Sequence, residues 1–261
     1  MHGNNQALLN LKKDFPDLTR PQMIVFDYGG TLLYEPNWDP RRGNEALFKH
    51  IKTNKNNLSP EELHDFSQQL FAQLSQVRSL NYEIHEWQFQ KLLYEYLEIE
   101  LALTPPETEK VFWDHTSAGA VMPGADRMID FINRQGIRSG VISNISFSGQ
   151  ALAERINRLL PNNRFEFILA SSEYGIRKPN RLLFDLAPKK AGLDPSALWF
   201  SGDNQHADIA GAASAGIFPV WYRDRSVDDP FMLKDSAGAP PCAHLDIFHW
   251  DELVEILENL S

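Results

Sequence analysis

Short apolar runs alternate with amphipathic segments of helical length from residue 123 to residue 221. A continuous apolar run is typical of a strand buried on both faces, and strands that alternate with helices form parallel sheets covered on both sides. An earlier apolar run, Met23–Phe26, predicts the first strand. The sequence therefore predicts an α/β fold with a doubly wound parallel sheet. The later predicted strands are 139–142, 165–170, 198–200, 217–221 and 244–248, and the predicted helices are 6–13, 125–135, 149–160, 181–191, 207–215 and 251–260.

The stretch from residue 36 to residue 118 has a different character, because strand signals give way to helical periodicity. Two capping boxes with proline at the first helical position begin near Ser59 and Thr104. We therefore expect an all-helical insertion at 36–118, and an α/β core built from 1–35 and 119–261.

Composition narrows the function classes. The net charge is −10, and an acidic surface repels nucleic-acid backbones and anionic lipid, so neither partner is expected. A single cysteine excludes an internal disulfide framework, and no apolar run approaches the roughly 20 residues of a membrane-spanning helix. The first residues lack the apolar stretch of a secretory signal, so a cytoplasmic protein is the expectation.

Polar residues follow the predicted strands at four places, where ligands bind in open parallel sheets. Clustered carboxylates need a cation, and their oxygens suit Mg²⁺. A carboxylate can also act as a nucleophile, while a hydroxyl, a lysine and backbone N–H groups can hold phosphoryl oxygens. Together these groups suit phosphoryl transfer. The four clusters are Asp27 with Thr31, Ser143 with Asn144, Lys178, and Asp203 with Asp208.

These clusters resemble, in order, the four motifs of the haloacid dehalogenase superfamily of hydrolases. The resemblance covers about residues 22 to 221 and implies a Rossmann-like core with a helical cap inserted after the first motif. The four matching stretches are 27–32, 143–144, 177–180 and 202–208.

The resemblance also implies a role for each residue. Asp27 would be the nucleophile that becomes phosphoaspartate, Ser143 would bond a phosphoryl oxygen, and Lys178 would neutralise charge. Asp27, the carbonyl of Gly29, and Asp203 would hold Mg²⁺, and Asp208 would be a further metal ligand or an anchor for Lys178. The expected groups contacting the phosphorylated substrate are Gly30, Thr31 and Asn144.

One position departs from the phosphatases of this family, which have a second aspartate two residues after the nucleophile. Here that position is Gly29. The backbone carbonyl remains for the metal, but the general acid/base is absent, and such a group contributes ~10²–10⁴ in rate. His206, Tyr28, Tyr34 or a residue of the cap are the alternatives for this role.

We expect a Mg²⁺-dependent phosphatase of a small phosphorylated metabolite, and three alternatives stay open. Phosphonoacetaldehyde hydrolases of the family also lack the second aspartate and use a cap lysine, for which Lys49, Lys52, Lys55 and Lys91 are available. Haloacid dehalogenases lack it too but need no metal, so the retained Asp203 argues against them. A binding protein for phosphorylated ligands without catalysis is the last alternative.

Overall fold

The computed structural model describes residue 15, residues 18–231, residue 240 and residues 242–260. The helix predicted for 6–13 lies outside these residues. The strands are β1 (Met23–Phe26), β2 (Leu33–Tyr34), β3 (Ile51–Asn54), β4 (Ile99–Leu101), β5 (Ala120–Val121), β6 (Arg138–Ser143), β7 (Phe165–Ala170), β8 (Leu198–Gly202), β9 (Phe218–Tyr222) and β10 (Leu245–Ile247). The α-helices are α1 (Pro40–Phe48), α2 (Pro60–Leu74), α3 (Glu86–Tyr96), α4 (Pro105–Thr116), α5 (Ala125–Arg134), α6 (Gly149–Leu159), α7 (Arg181–Ala191), α8 (Gly211–Ser214) and α9 (Trp250–Asn259).

A six-stranded parallel sheet in the order β10-β9-β8-β1-β6-β7 forms the centre of the molecule. Alternate residues of β1 face opposite sides, as strand geometry requires. Ile24 and Phe26 pack in the cluster that contains residues of α5, α6 and α9. Met23 and Val25 pack in the cluster that contains residues of α7 and α8. The predicted doubly wound, Rossmann-like parallel sheet is confirmed.

The sheet order decides where the polar clusters meet. β1 lies between β6 and β8, and both neighbours run parallel to it. The carboxyl ends of the three strands therefore lie side by side at one edge of the sheet, with residues 27, 143 and 203 at or directly after those ends.

The segment between β2 and β5 has its own apolar cluster, which includes Leu47, Leu63, Phe89 and Leu93. Its entry and exit are joined by a short antiparallel pair, in which Leu33 faces Val121 and Tyr34 faces Ala120. We propose that residues 36–118 form a cap over the carboxyl edge of the sheet.

This segment differs from the expectation in one respect, because it is not entirely helical. β3 and β4 form an antiparallel pair with a register shift between Ile51 and Thr53. The strands are short and the middle of β3 is exposed, so β3 lacks the apolar alternation by which a strand is recognised.

The helix predicted for 207–215 also differs, because a π-helical segment at Gln205–Ala210 precedes α8. The Asn204 side chain accepts hydrogen bonds from the N–H groups of His206 and Ala207. The Asn204 N–H in turn donates to Asp208 Oδ2. These local bonds start the helical segment two residues earlier than predicted.

In the part of the chain that the structure describes, no helix is both long and apolar enough to cross a membrane.

Candidate active site

Lys178 lies at the centre of the polar groups that meet at the carboxyl ends of β1, β6 and β8. Its side chain is almost fully buried, and Nζ lies 2.6 Å from Asp27 Oδ1 and 2.6 Å from Asp208 Oδ1. Burial alone would lower the pKa of Lys178, but the carboxylates of Asp208 and Asp27 outweigh it, and the pKa is raised. The lysine is therefore charged and holds two carboxylates from separate loops.

Three buried carboxylates meet beside this lysine. Oxygen atoms of Asp27, Asp203 and Asp208 lie within 4.8 Å of one another. Burial raises the pKa of Asp27 to about 6 although Lys178 opposes the shift. Burial, followed by repulsion from Asp208 and Asp27, holds the pKa of Asp203 well above its ordinary value. A cluster of oxygen donors that repel one another fits a hard divalent cation such as Mg²⁺.

The two oxygens of Asp208 are already engaged by protein groups. Oδ1 contacts Lys178 Nζ, and Oδ2 accepts the Asn204 N–H at 3.0 Å. Asp203 instead uses its backbone carbonyl to accept from Trp221 Nε1 at 3.1 Å. The Asp208 carboxylate is thus held by Lys178 and Asn204, and the Asp203 carboxylate lies beside it with the charges of Arg225 and Lys178 nearby.

Asn144 is placed beside Lys178 by its side-chain amide. Nδ2 donates to the Lys178 carbonyl at 3.0 Å, and Oδ1 accepts the Lys178 N–H at 2.8 Å. Asn144 and Ser143 both line the cavity described below. The amide of Asn144 thus ties the end of β6 to residues 175–180, the loop before α7 that carries Lys178 and is named the lysine loop.

Gly30 and Thr31 lie in the turn that follows β1 and Asp27. Gly30 has a φ of +66°, and a Cβ there would lie 2.8 Å from Asp203 Oδ2, so the turn requires glycine. Thr31 is fully buried, and its hydroxyl has no hydrogen-bond partner in the described structure. Unlike Asp27 and Gly29, neither residue is among those that line the cavity.

The cavity over this edge has a volume of about 420 Å³ and is walled by the sheet loops and by the segment 36–118. Its polar floor is formed by Asp27, Ser143, Lys178 and Asp203. Many of the other side chains that line the cavity are aromatic, and they come from both the segment 36–118 and the sheet loops. The aromatic side chains are those of Trp38, Phe71, Phe89, Phe112, Trp113, Phe147 and Phe231.

Glu83 connects an arginine of the segment 36–118 with an arginine of the lysine loop. Its buried carboxylate contacts Arg177 Nη1 and accepts from Arg78 Nε at 2.9 Å and from the Ser171 hydroxyl at 2.9 Å. Arg78 belongs to the segment 36–118, whereas Arg177 precedes the site lysine in the lysine loop, and both line the cavity. The two guanidinium groups are held in place by one carboxylate.

Tyr28, the neighbour of the predicted nucleophile, is tied to the base of the insertion. Its hydroxyl donates to Glu35 Oε1 at 2.6 Å, and Arg155 Nη2 lies 2.7 Å from Glu35 Oε2. Burial and the nearby Glu35 carboxylate hold the pKa of Tyr28 well above its ordinary value. The hydroxyl is thus neutral and committed to a structural hydrogen bond.

The side chains proposed from the sequence as replacements for the absent acid lie in different places. His206 is exposed and is not among the residues lining the cavity. Tyr34 is half-buried and also lies outside that set. The four lysines considered for a Schiff base, Lys49, Lys52, Lys55 and Lys91, are all exposed and do not line the cavity either.

Sequence reasoning missed Glu35, Arg78, Glu83 and Glu86, which the fold brings to the cavity or its walls. Glu83 is far in sequence from the four motifs, Arg78 and Glu86 lie in helical segments, where a charged residue ordinarily indicates a solvated face, and Glu35 follows the first motif outside its matching stretch. Glu86 stands among apolar residues at the start of α3, which could have indicated a functional carboxyl group. An acidic residue in the first turn of a helix is also common because it stabilises the helix, so this position does not by itself indicate function.

Comparison with known proteins decides the family. A model of the family described as haloacid dehalogenase-like hydrolase matches residues 21–216, three quarters of the chain. The chain belongs to the haloacid dehalogenase-like hydrolase family.

Two characterised relatives resemble part of the chain. Pyrimidine 5'-nucleotidase YjjG of Escherichia coli (strain K12) is 33% identical over 111 residues, which are 42% of this chain and 48% of the relative. Glyceraldehyde 3-phosphate phosphatase of Pyrococcus abyssi (strain GE5 / Orsay) is 30% identical over 102 residues, 39% of this chain and 42% of the relative. The chain spans less than half the length of both relatives.

Two solved structures share the fold of this chain over nearly its whole length. The 2-haloacid dehalogenase of Pseudomonas syringae pv. Tomato DC3000 has a TM-score of 0.60 and 22% identity, and covers 90% of this chain and 97% of its own. A HAD phosphatase of Thermococcus onnurineus has a TM-score of 0.56 and 19% identity, with the same coverage. At these identities the likeness concerns the fold.

Proposed function

We propose that the protein hydrolyses a small phosphate monoester through a phosphoaspartate at Asp27. The observation that carries this proposal is the contact of Asp27 with Lys178 at 2.6 Å, beside Asp203 and on the floor of a cavity. A carboxylate held by a buried cation, next to a cation site, is suited to attack phosphorus while negative charge is neutralised.

The residues divide the work between attack and charge stabilisation. Asp27 forms the new bond to phosphorus as the bond to the leaving oxygen breaks, and water then hydrolyses the phosphoaspartate. Lys178 and the Ser143 hydroxyl, which line the cavity, stabilise the non-bridging oxygens, whereas the Gly30 N–H donates to the Leu33 carbonyl at 2.9 Å. Asn144 keeps Lys178 in position.

Asp27, the Gly29 carbonyl and Asp203 are the groups that would hold Mg²⁺. Their oxygen atoms fit this hard cation. When bound, Mg²⁺ neutralises the charge of the nucleophile and of the phosphoryl group. The cap at 36–118 excludes water from the cavity, and its aromatic wall would contact the leaving group.

Related proteins support this reaction class. Pyrimidine 5'-nucleotidase and glyceraldehyde 3-phosphate phosphatase, which resemble part of the chain, are named for removing phosphate from small molecules. A Schiff-base route to C–P cleavage has no support in the described residues, because the cap lysines considered for it are exposed and outside the cavity.

The test is leaving-group release from acetyl phosphate, p-nitrophenyl phosphate and sugar phosphates, with Mg²⁺ or with chelator. Asp27→Asn is the test variant, and Asp126→Asn, at an exposed aspartate of α5, is the matched control. We expect turnover that needs both Mg²⁺ and Asp27, and a beryllofluoride adduct only when Asp27 is intact. Ligand-induced stabilisation without turnover would replace this proposal by a binding function.

A further inference from the structure

The turn that carries the nucleophile leaves the position of the second aspartate empty. A Cβ built on Gly29 has no atom within 4 Å, and Gly29 lines the cavity. A proton donor for a poor leaving group such as an alkoxide would therefore have to come from another wall of the same cavity.

Glu86 lies on that other wall. It is the first residue of α3, it is 3% exposed, and it lines the cavity together with Asp27 and Gly29. Its backbone N–H donates to the Ser146 carbonyl at 2.8 Å. This bond fixes the backbone at the start of α3 to the loop that follows Ser143 and Asn144.

The surroundings of Glu86 favour a neutral carboxyl group. In the described structure its one hydrogen bond comes from Gln90 Nε2, at 3.0 Å from Oε1. Glu109 faces it from α4, Arg78 from the 3₁₀ segment before α3, and Tyr94 lies on its own helix. Burial, and then repulsion from Glu109, raises the pKa of Glu86 to about 8, so the group holds a proton at neutral pH.

Glu109 itself is committed elsewhere. Its carboxylate accepts from Trp87 Nε1 at 2.8 Å and from the N–H and hydroxyl of Ser148 at 2.5 and 2.6 Å. These hydrogen bonds hold the Glu109 side chain in place beside Glu86 and leave Glu109 unsuited to serve a substrate.

We propose that Glu86 is the general acid and base of this site, supplied by the cap in place of the residue missing at position 29. This inference rests on the proposed phosphatase reaction. As Asp27 bonds to phosphorus and the bond to the leaving oxygen breaks, Glu86 gives its proton to that oxygen. The Glu86 carboxylate then takes a proton from the water that attacks phosphoaspartate, and both groups return to their starting states.

Other carboxyl groups of the cavity fit this role less well. Glu35 is bound by Arg155 and by the Tyr28 hydroxyl. Asp229 accepts the N–H groups of Glu35 and Phe231. Glu86 has a single side-chain amide as donor, which leaves an oxygen for a substrate.

The test compares Glu86→Gln with the wild-type protein on an alkyl ester, glycerol phosphate, and on acetyl phosphate, whose leaving group needs no proton. The matched control is Glu95→Gln, at an exposed position of the same helix. We expect Glu86→Gln to lower kcat/KM for the alkyl ester by ~10²–10⁴-fold, with a much smaller effect on phosphorylation by acetyl phosphate. The variant should accumulate phosphoenzyme from acetyl phosphate, and the fall of wild-type activity near pH 8 should disappear.

A second substitution distinguishes a loss of catalysis in Glu86→Gln from a failure of that variant to fold. Gly29→Asp in the Glu86→Gln background places a carboxyl group in the open space beside Asp27. We expect it to restore hydrolysis of the alkyl ester.

Different results would contradict the role of Glu86 and the phosphatase activity itself. Turnover by the wild-type protein with an unchanged ratio of alkyl to acyl kcat/KM in Glu86→Gln would overturn the role of Glu86. Wild-type turnover confined to acetyl phosphate would overturn it too. The absence of any Asp27-dependent turnover or adduct in the wild-type protein would overturn the phosphatase itself.

Discussion

The side-chain amide of Asn144 is hydrogen-bonded to both backbone polar groups of Lys178, through Oδ1 to its N–H and through Nδ2 to its carbonyl. A polar residue at the end of one strand thereby sets the position of a lysine contributed by a different loop. The lysine Nζ reaches two carboxylates from this fixed backbone.

Removing this amide should harm catalysis more than stability. Asn144→Ala is expected to lower kcat by about 10²-fold, because a displacement of about 1 Å in a catalytic group costs that much. Asn144→Asp keeps the acceptor for the Lys178 N–H and loses the donor to its carbonyl, so it should fall between. Steady-state kinetics with p-nitrophenyl phosphate measures both, with the exposed Asn157→Ala of α6 as control. Equal KM and kcat in all variants would contradict the positioning role.

Lys178→Met should destabilise the protein strongly. The substitution leaves Asp27 and Asp208 buried beside each other without a cation, and breaking a buried pair in this way costs about 3–5 kcal/mol. Asp208→Asn in the same chain removes one of the stranded charges, so the double variant should be more stable than Lys178→Met alone. Urea unfolding of the metal-free proteins measures the difference. Additive losses would show that the contacts do not act together.

Adjacent glycines should respond in opposite ways to alanine. At Gly30 the backbone has a φ of +66° and the new Cβ would meet Asp203 Oδ2, so we expect a loss of at least ~1–2 kcal/mol and a smaller Mg²⁺-induced rise in Tm. At Gly29 the Cβ enters open space, so Gly29→Ala should change stability little. Thermal unfolding with and without Mg²⁺ distinguishes the two, and equal destabilisation would contradict the geometry of the turn.

The stability effect of Glu86→Gln should depend on pH. The pKa of Glu86 rises from its ordinary value near 4.5 to about 8 on folding, so between these values the folded state binds more protons than the unfolded state. The free energy of unfolding that depends on Glu86 therefore falls as the pH rises through this range. Glutamine does not titrate, so the variant should gain stability relative to the wild-type protein from pH 5 to pH 9. A constant difference in Tm across this range would contradict a protonated Glu86.

The sheet could be predicted closely because its strands carry continuous apolar runs. All four residues of β1 are fully buried, and β7 has the predicted limits Phe165–Ala170. The order of the strands in the sheet could not be predicted from the apolar runs, since it depends on the face of the sheet that each connecting helix covers. β3 escaped prediction because its middle residues are exposed.

The motif residues of the site could be predicted for a related reason. Asp27, Ser143 and Asp203 lie at or directly after strand ends, so a correct sheet brings them together. Glu86 could not be found in this way, because a glutamate in a first helical turn has the same sequence signature whether it faces water or a closed cavity. Its burial arises only when α3 packs against the loop at Ser146.

The contact between Trp113 and Phe147 has an optical consequence. Trp113 lies on α4 of the proposed cap, its ring is stacked on Phe147 in the loop after β6 with centroids 3.9 Å apart, and it is 3% exposed. Any opening that separates the two rings exposes this buried indole to water. The emission of Trp113 should then shift to longer wavelength, so the difference spectrum between the protein and its Trp113→Phe variant reports cap opening without an attached dye.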